Sequence, residues 1–195
     1  MTGAEGLVIR AEQAADLATT RQVVQTAFGE EPVADLLDGL RASSAWRDLS
    51  FVAERDGAVV GHVTFTRGWL DAPTQLFEVL VLSPLSVHPD AQGGGVGSAL
   101  VRRSLEVVRD RPEPLVFLEG SPRYYPRFGF APGAAGGFTA PSTRIPGPAF
   151  QYVALPSYRP WMTGALVYPD VFWAHDCVGL RESRDGEGDR PRLGP

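Results

Sequence analysis

The chain has 195 residues, 44% hydrophobic and 21% charged, an ordinary globular composition that supports one core and reads as one domain over residues 1–180. Net charge is −5, all 18 basic residues are Arg, and they gather into no stripe, which excludes nucleic acid and an acidic membrane as principal partners. Cys177 is the one cysteine, so an internal disulfide and a cysteine-rich zinc site are excluded; with no leader pattern and no span-length apolar window, a cytoplasmic protein is expected.

Leu7-Val8-Ile9-Arg10 reads as a first strand. A helical pattern follows from Asp16 through Leu17, Val24, Ala27 and Phe28 and closes at Gly29. Pro32 suits the first turn of a second helix, on which Val33, Leu36, Leu37 and Leu40 make one buried stripe. Leu49 to Arg55 and Ala58 to Arg67 are β-rich runs joined at Asp56-Gly57, a hairpin signal. The next strand, Gln75 to Val87, is interrupted by Pro84, which cannot donate to a ladder and implies a bulge or an unpaired edge.

A helix from Gly97 carries Leu100, Val101, Leu105 and Val108 on one side, and Pro112 and Pro114 end it. Leu115 to Leu118 is the next strand, and a strand–helix–strand connection of this length predicts a parallel pair. Pro122 to Phe128 reads as a short helix with Gly129 past its end. After a loop-rich stretch, Tyr152 to Leu155 and Gly164 to Tyr168 are two last strands, and the charged segment 181–195 reads as a disordered tail. Of the late aromatics Phe150, Tyr152, Tyr158, Trp161, Tyr168, Phe172 and Trp173, most are assigned to the core rather than to an acceptor pocket.

Between the interrupted strand and the helix lies Gln92-Gly93-Gly94-Gly95-Val96-Gly97-Ser98. Glycines let backbone N–H groups approach an anion, and a helix start adds roughly half a positive charge. A Walker loop needs a Lys, which the chain lacks, and the spacing of Gly95, Gly97 and Ser98 fails the dinucleotide fingerprint. A glycine-rich turn without a ligand is the alternative. No His, Cys and carboxylate spacing suggests a metal site, so His62, His88 and His175 receive no ligand role and Cys177 reads as buried.

The pattern Q-x-x-G-x-G after a strand and at a helix start resembles the acetyl-CoA pyrophosphate loop of the GNAT acetyltransferase superfamily. Leu85-Ser86-Val87-His88-Pro89-Asp90 before it and Tyr124-Tyr125-Pro126-Arg127-Phe128-Gly129-Phe130 after it also resemble family motifs. Gly120-Ser121-Pro122-Arg123-Tyr124-Tyr125 is similar to a bacterial branch with Gly-Asp-Pro-x-Tyr-Tyr, except that Ser121 replaces the acid. The resemblance implies an α/β (α+β) fold with a mixed central sheet of about six or seven strands, a splayed strand pair and about four helices. It implies acetyl-CoA as co-substrate, and acetyl transfer to a primary amine of a small molecule or protein by direct attack in a ternary complex.

On that resemblance Gln92, Gly93, Gly94, Gly95, Val96, Gly97 and Ser98 hold the pyrophosphate. Leu85, Ser86 and Val87, next to the break at Pro84, offer backbone groups to pantetheine. Tyr125, four residues before Gly129, takes the place of the general acid, and Tyr124 is assigned to core packing. Histone-type members carry a Glu where this chain has Val81, so Glu78 or Glu119, acting through water, is the candidate base. The second reading is a non-catalytic acyl-CoA-binding sensor or regulatory module. A homodimer is within the range of expected assemblies.

Overall fold

The computed structural model of the protein describes residues 6–29 and 31–181. Its first half comprises β1 (Leu7–Ala11), α1 (Leu17–Phe28), α2 (Glu31–Ala42), β2 (Trp46–Arg55), β3 (Ala58–Asp71) and β4 (Leu76–Val87). The second half comprises α3 (Val96–Val108), β5 (Leu115–Glu119), β6 (Ala131–Pro132), β7 (Phe138–Thr139), β8 (Phe150–Ala154), β9 (Gly164–Val167) and α4 (Asp170–Ala174). Asp56 and Gly57 take φ of 52° and 78°, the two positive values of a tight hairpin turn, and Arg55 faces Ala58 across it. Gly29 caps α1 in the left-handed conformation at φ 69°, as a glycine helix stop does.

Among the described residues nine strands form one sheet, in the order β1-β2-β3-β4-β5-β8-β6. Seven lie on that path, and β7 and β9 extend it at one end of β3. Strand β3 outruns β2, whose pairing stops at Trp46–Thr66, and β9 takes the freed edge at Trp69 to Asp71. The short strands β6 and β7 and the helix α4 carry no sequence signal strong enough to separate them from loop. The expected helix at Pro122 to Phe128 is instead a turn with a 3-10 segment at Tyr125–Phe128. Pro126 has no N–H to donate there. Ser121 accepts at its backbone O from Tyr124 N (3.1 Å) and at Oγ from Arg123 N (3.3 Å), so the hydroxyl supplies an acceptor to the turn. Beyond Arg181, the segment read as a tail lies outside the described residues. No helix among the described residues is long and apolar enough to cross a membrane.

The pair that positions the site is β4 and β5. They run parallel, as the crossover length predicts, but pair only at Leu80–Val116 and Val81–Phe117. On its other edge β4 stays with β3 as far as Gly61–Val87. Val63 faces Leu85 while Phe65 faces Leu82, so three steps on β4 span two on β3. That one extra residue, at Pro84, is the bulge the sequence implied.

The two faces of the sheet differ in chemistry. On one face Leu100, Val101, Leu105 and Val108 of α3 pack on Phe51, Val63, Phe65 and Leu82. On the other, beneath α1 and α2, β2 to β4 present buried polar residues: Ser50, His62, Thr64, Thr66 and Ser86. His62 is fully buried, with Nε2 2.8 Å from Ser50 Oγ. Burial pushes its pKa from 6.5 down to about 4; Glu12 opposes this shift and Arg41 adds to it. In that window the unfolded chain takes up a proton that the folded chain refuses. Stability is therefore full above pH 6.5 and falls as pH drops towards 4, by about 3 kcal/mol for this group. Urea unfolding across pH should record this acid-side slope and a shallower one in His62→Gln.

Candidate active site

At the end of β4 the chain turns through Pro89–Ala91 and enters the glycine run before α3. Gly93 and Gly95 take φ of 73° and 80°, which a residue with a Cβ adopts only at a cost. Gly95 is the N-cap of α3 and no side chain caps the first turn, which leaves those N–H groups turned to the space beyond. That space is a cavity of about 230 Å³. Of the expected binding residues, Gly93, Gly95, Gly97 and Ser98 line it, as do Val87, Gln92 and Val96. Val96 is buried, so its side chain serves the core.

Gln92 holds the loop in place. Its Nε2 donates to the Val87 carbonyl at 3.0 Å, tying the loop to the strand end. Gly94 is outside the cavity lining and lies against Arg55, whose Nη2 would be 3.5 Å from a Cβ at that position. That nitrogen is buried with no protein acceptor. It is a guanidinium held beside the glycine loop, and nothing in the local sequence around Arg55 or Gly94 signals the approach. Leu85 and Ser86 sit on the edge of β4 that has left β5.

The two tyrosines occupy different environments. Tyr124, assigned to packing from the sequence, lines the cavity; its hydroxyl lies 3.4 Å from Ser98 Oγ and would be 2.8 Å from a Cβ on Gly97. Arg127 also lines the cavity, its guanidinium 4.9 Å from the Tyr124 ring centroid. Tyr125 is only 6% exposed and belongs to the same cluster as Leu82, Leu85 and Leu118, the residues flanking the parted strands. Its ring packs so closely on Gly120 that a Cβ there would lie 2.3 Å away. Burial, with Tyr124 as a lesser cause, raises its phenol above the usual 10, so it keeps its proton.

The carboxylates separate as well. Glu78 accepts from Arg47 Nε at 2.6 Å, and this bond holds its pKa low. Glu119 closes β5; burial raises its pKa, opposed by a hydrogen bond from Tyr168, the Gly179 N–H at 3.1 Å and Arg144. Among the late aromatics Phe150, Tyr168 and Phe172 are buried, whereas Trp161 and Trp173 are exposed. Among the described residues no three His, Cys, Asp or Glu side chains gather as a metal site.

Residues 8–133 match the family model described as Acetyltransferase (GNAT) domain. The chain belongs to the GNAT acetyltransferase family. It is 39% identical over 132 residues to the uncharacterized N-acetyltransferase YjhQ of Escherichia coli K12, an alignment covering 65% of this chain and 71% of that protein. It is 36% identical over 126 residues to the mycothiol acetyltransferase of Thermomonospora curvata, 60% of this chain but 40% of the relative. The crystal structure of the E. coli GNAT family N-acetyltransferase YhbS in complex with CoA superposes with a TM-score of 0.77 at 25% identity, covering 88% of this chain and 94% of that one. A Brucella melitensis GNAT acetyltransferase in complex with acetyl-CoA gives 0.68 at 31% identity, with 85% and 97% covered. The mixed sheet and the four helices among the described residues make the GNAT fold, and this GNAT chain is an acyltransferase.

Replacing Gly95 with Ala forces a Cβ onto a left-handed residue and should lower stability by about 1 kcal/mol or more. Gly95→Asn should lose less, because Asn tolerates that region. Chemical denaturation of the three proteins side by side measures the difference.

Proposed function

We propose that the protein transfers the acetyl group of acetyl-CoA to a primary amine, of a small molecule or a protein, by direct attack in a ternary complex. The observation that carries this reading is the parting of β4 from β5 after Val81–Phe117 at the side of the glycine-lined cavity. An open strand edge inside a fold leaves N–H and C=O groups that are costly to bury alone. The amides of a pantetheine arm satisfy such groups, and Leu85, Ser86 and Val87 supply them here. The solved relatives from E. coli and B. melitensis, with CoA and acetyl-CoA, support the same assignment.

The residues of the loop fit a dianionic pyrophosphate. Glycine backbone from Gly93 to Gly97, the start of α3, and the guanidinium groups of Arg55 and Arg127 all present positive charge or N–H groups to it. Gln92 keeps the loop on the strand.

Tyr125 is the proton donor to the departing sulfur. A phenol near pKa 10 facing a thiol near 8.5 makes complete transfer uphill by about 2 kcal/mol in water. Because burial raises the phenol further, Tyr125 acts by hydrogen bonding to the developing thiolate rather than by ionising. Glu119 is the better base, through a water, since burial raises its affinity for a proton while Arg47 lowers that of Glu78.

Tyr125→Phe should lower kcat about 100-fold or more with little change in acetyl-CoA affinity. Tyr124→Phe, by contrast, should raise the KM for acetyl-CoA and leave kcat within about threefold, because its hydroxyl faces the cavity rather than the parted strands. Both are measured by thiol release over a library of primary amines, with a no-amine control. Tight CoA binding without any amine-dependent thiol release assigns the protein to the second reading, an acyl-CoA sensor.

A further inference from the structure

The walls of the glycine-lined cavity come from two stretches that carry no negative charge. The chain has 23 acidic residues, yet none falls from Ala91 to Leu105 or from Gly120 to Pro169. Every residue lining the cavity except Val87 belongs to one of these stretches. Asp90, at the entry to the loop, is 93% exposed beside His88. A carboxylate on either wall would repel an anionic ligand and compete for its cations. Without one, the arginines of the two walls are left to meet the ligand.

A row of rings and guanidinium groups leads from the loop along α3. Tyr124 stands against the first turn, its hydroxyl 3.4 Å from Ser98 Oγ, and Phe128 meets Tyr124 edge-on with centroids 5.3 Å apart. The Arg127 guanidinium lies 4.9 Å from the Tyr124 centroid, and that of Arg102 lies 5.4 Å from the Phe128 centroid. Arg102 follows Ser98 by one helical turn, so the two share a face of α3, about 6 Å apart along its axis. Among the described residues neither Arg102 nor Arg127 has a carboxylate partner, whereas Arg103 is held by Glu106 at 3.0 Å. Arg127 Nη2 reaches only the Arg123 carbonyl, at 3.4 Å. An aromatic face restrains a guanidinium and uses none of its N–H donors.

Resting on the acetyl-CoA reading above, we propose that Arg102 binds the 3′-phosphate of CoA, with Arg127 between it and the pyrophosphate, so that the site selects CoA over its 3′-dephospho form. CoA carries two separate anions, the pyrophosphate and a phosphate on the adenosine ribose. Its pantetheine arm passes inward, to the strand edge that β4 opens beyond Val81. The adenosine half, charged and polar, stays at the rim. Arg102 and Arg127 are exposed there, on the outer side of α3 and on the turn that faces it. The planar fork of a guanidinium pairs with two phosphate oxygens at once, and the Phe128 ring limits the orientations Arg102 must give up on binding.

The test compares CoA with 3′-dephospho-CoA by titration calorimetry and needs no acceptor amine. The wild type should bind CoA about tenfold or more tightly than dephospho-CoA. Arg102→Gln should lose about tenfold in CoA affinity and hold dephospho-CoA within about twofold, because the second ligand lacks the group that the guanidinium holds. Arg109, at the far end of α3, is the control for the general field: Arg109→Gln should leave both affinities within about twofold. Equal wild-type affinities, equal losses of both ligands in Arg102→Gln, or the same loss of CoA in Arg109→Gln each overturn the proposal and leave the transferase reading intact. Binding of neither ligand by the folded wild type removes both.

Discussion

One additional residue in β4 is the constraint on which the site depends. Had β4 matched β3 step for step, nothing would have changed its direction, and its second edge could have followed β5. With the bulge between Leu82 and Leu85, β4 keeps its ladder to β3 and parts from β5 after Val81. The insertion also resets the alternation of side chains, since a one-residue step exchanges the faces of a strand. Leu85 and Val87 thereby join Leu82 on the α3 face, and Ser86 is delivered to the polar layer opposite. An open strand edge and a buried hydroxyl come from the same irregularity.

The two faces of the sheet divide the work. Under α3 the contacts are apolar and close, and helix and strands hold the glycine loop steady between them. Under α1 and α2 the fold accepts buried hydroxyls and an imidazole, with Glu12, Thr20 and Arg41 joined by short hydrogen bonds. Hydrophobic side chains of similar volume would often be as stable or more so in such places.

Much of the architecture was legible because its signals are local. Asp56-Gly57 demands a hairpin by its backbone preferences, Gly29 ends a helix, and Pro84 interrupts a ladder, each within a few residues. The glycine loop could be read in the same way, and its cavity is lined by Gly93, Gly95, Gly97 and Ser98. Other features were not legible. Arg55 and Gly94 meet only because the β2–β3 hairpin and the loop reach the same end of the sheet. Tyr124 and Tyr125 are adjacent, yet one lines the cavity and the other is buried in the core cluster, a division set by the elements that pack around the turn. Glu78 and Glu119 look alike in sequence, and their difference is the presence of Arg47 beside one and of burial around the other.

The amino-acid sequence by itself determined the longer strands and helices, the Asp56-Gly57 turn, an irregularity at Pro84 and the glycine loop, since these rest on backbone preferences and on periodicities of two and 3.6 residues. Only the tertiary structure decided which strand edge stays open, where β9 lies, which tyrosine faces the cavity and which groups surround His62. Those outcomes depend on pairings between residues far apart in the chain, such as Glu12 with Arg41 and His62 with Ser86. No local preference encodes them, because each is the sum of packing and hydrogen bonding over the whole sheet.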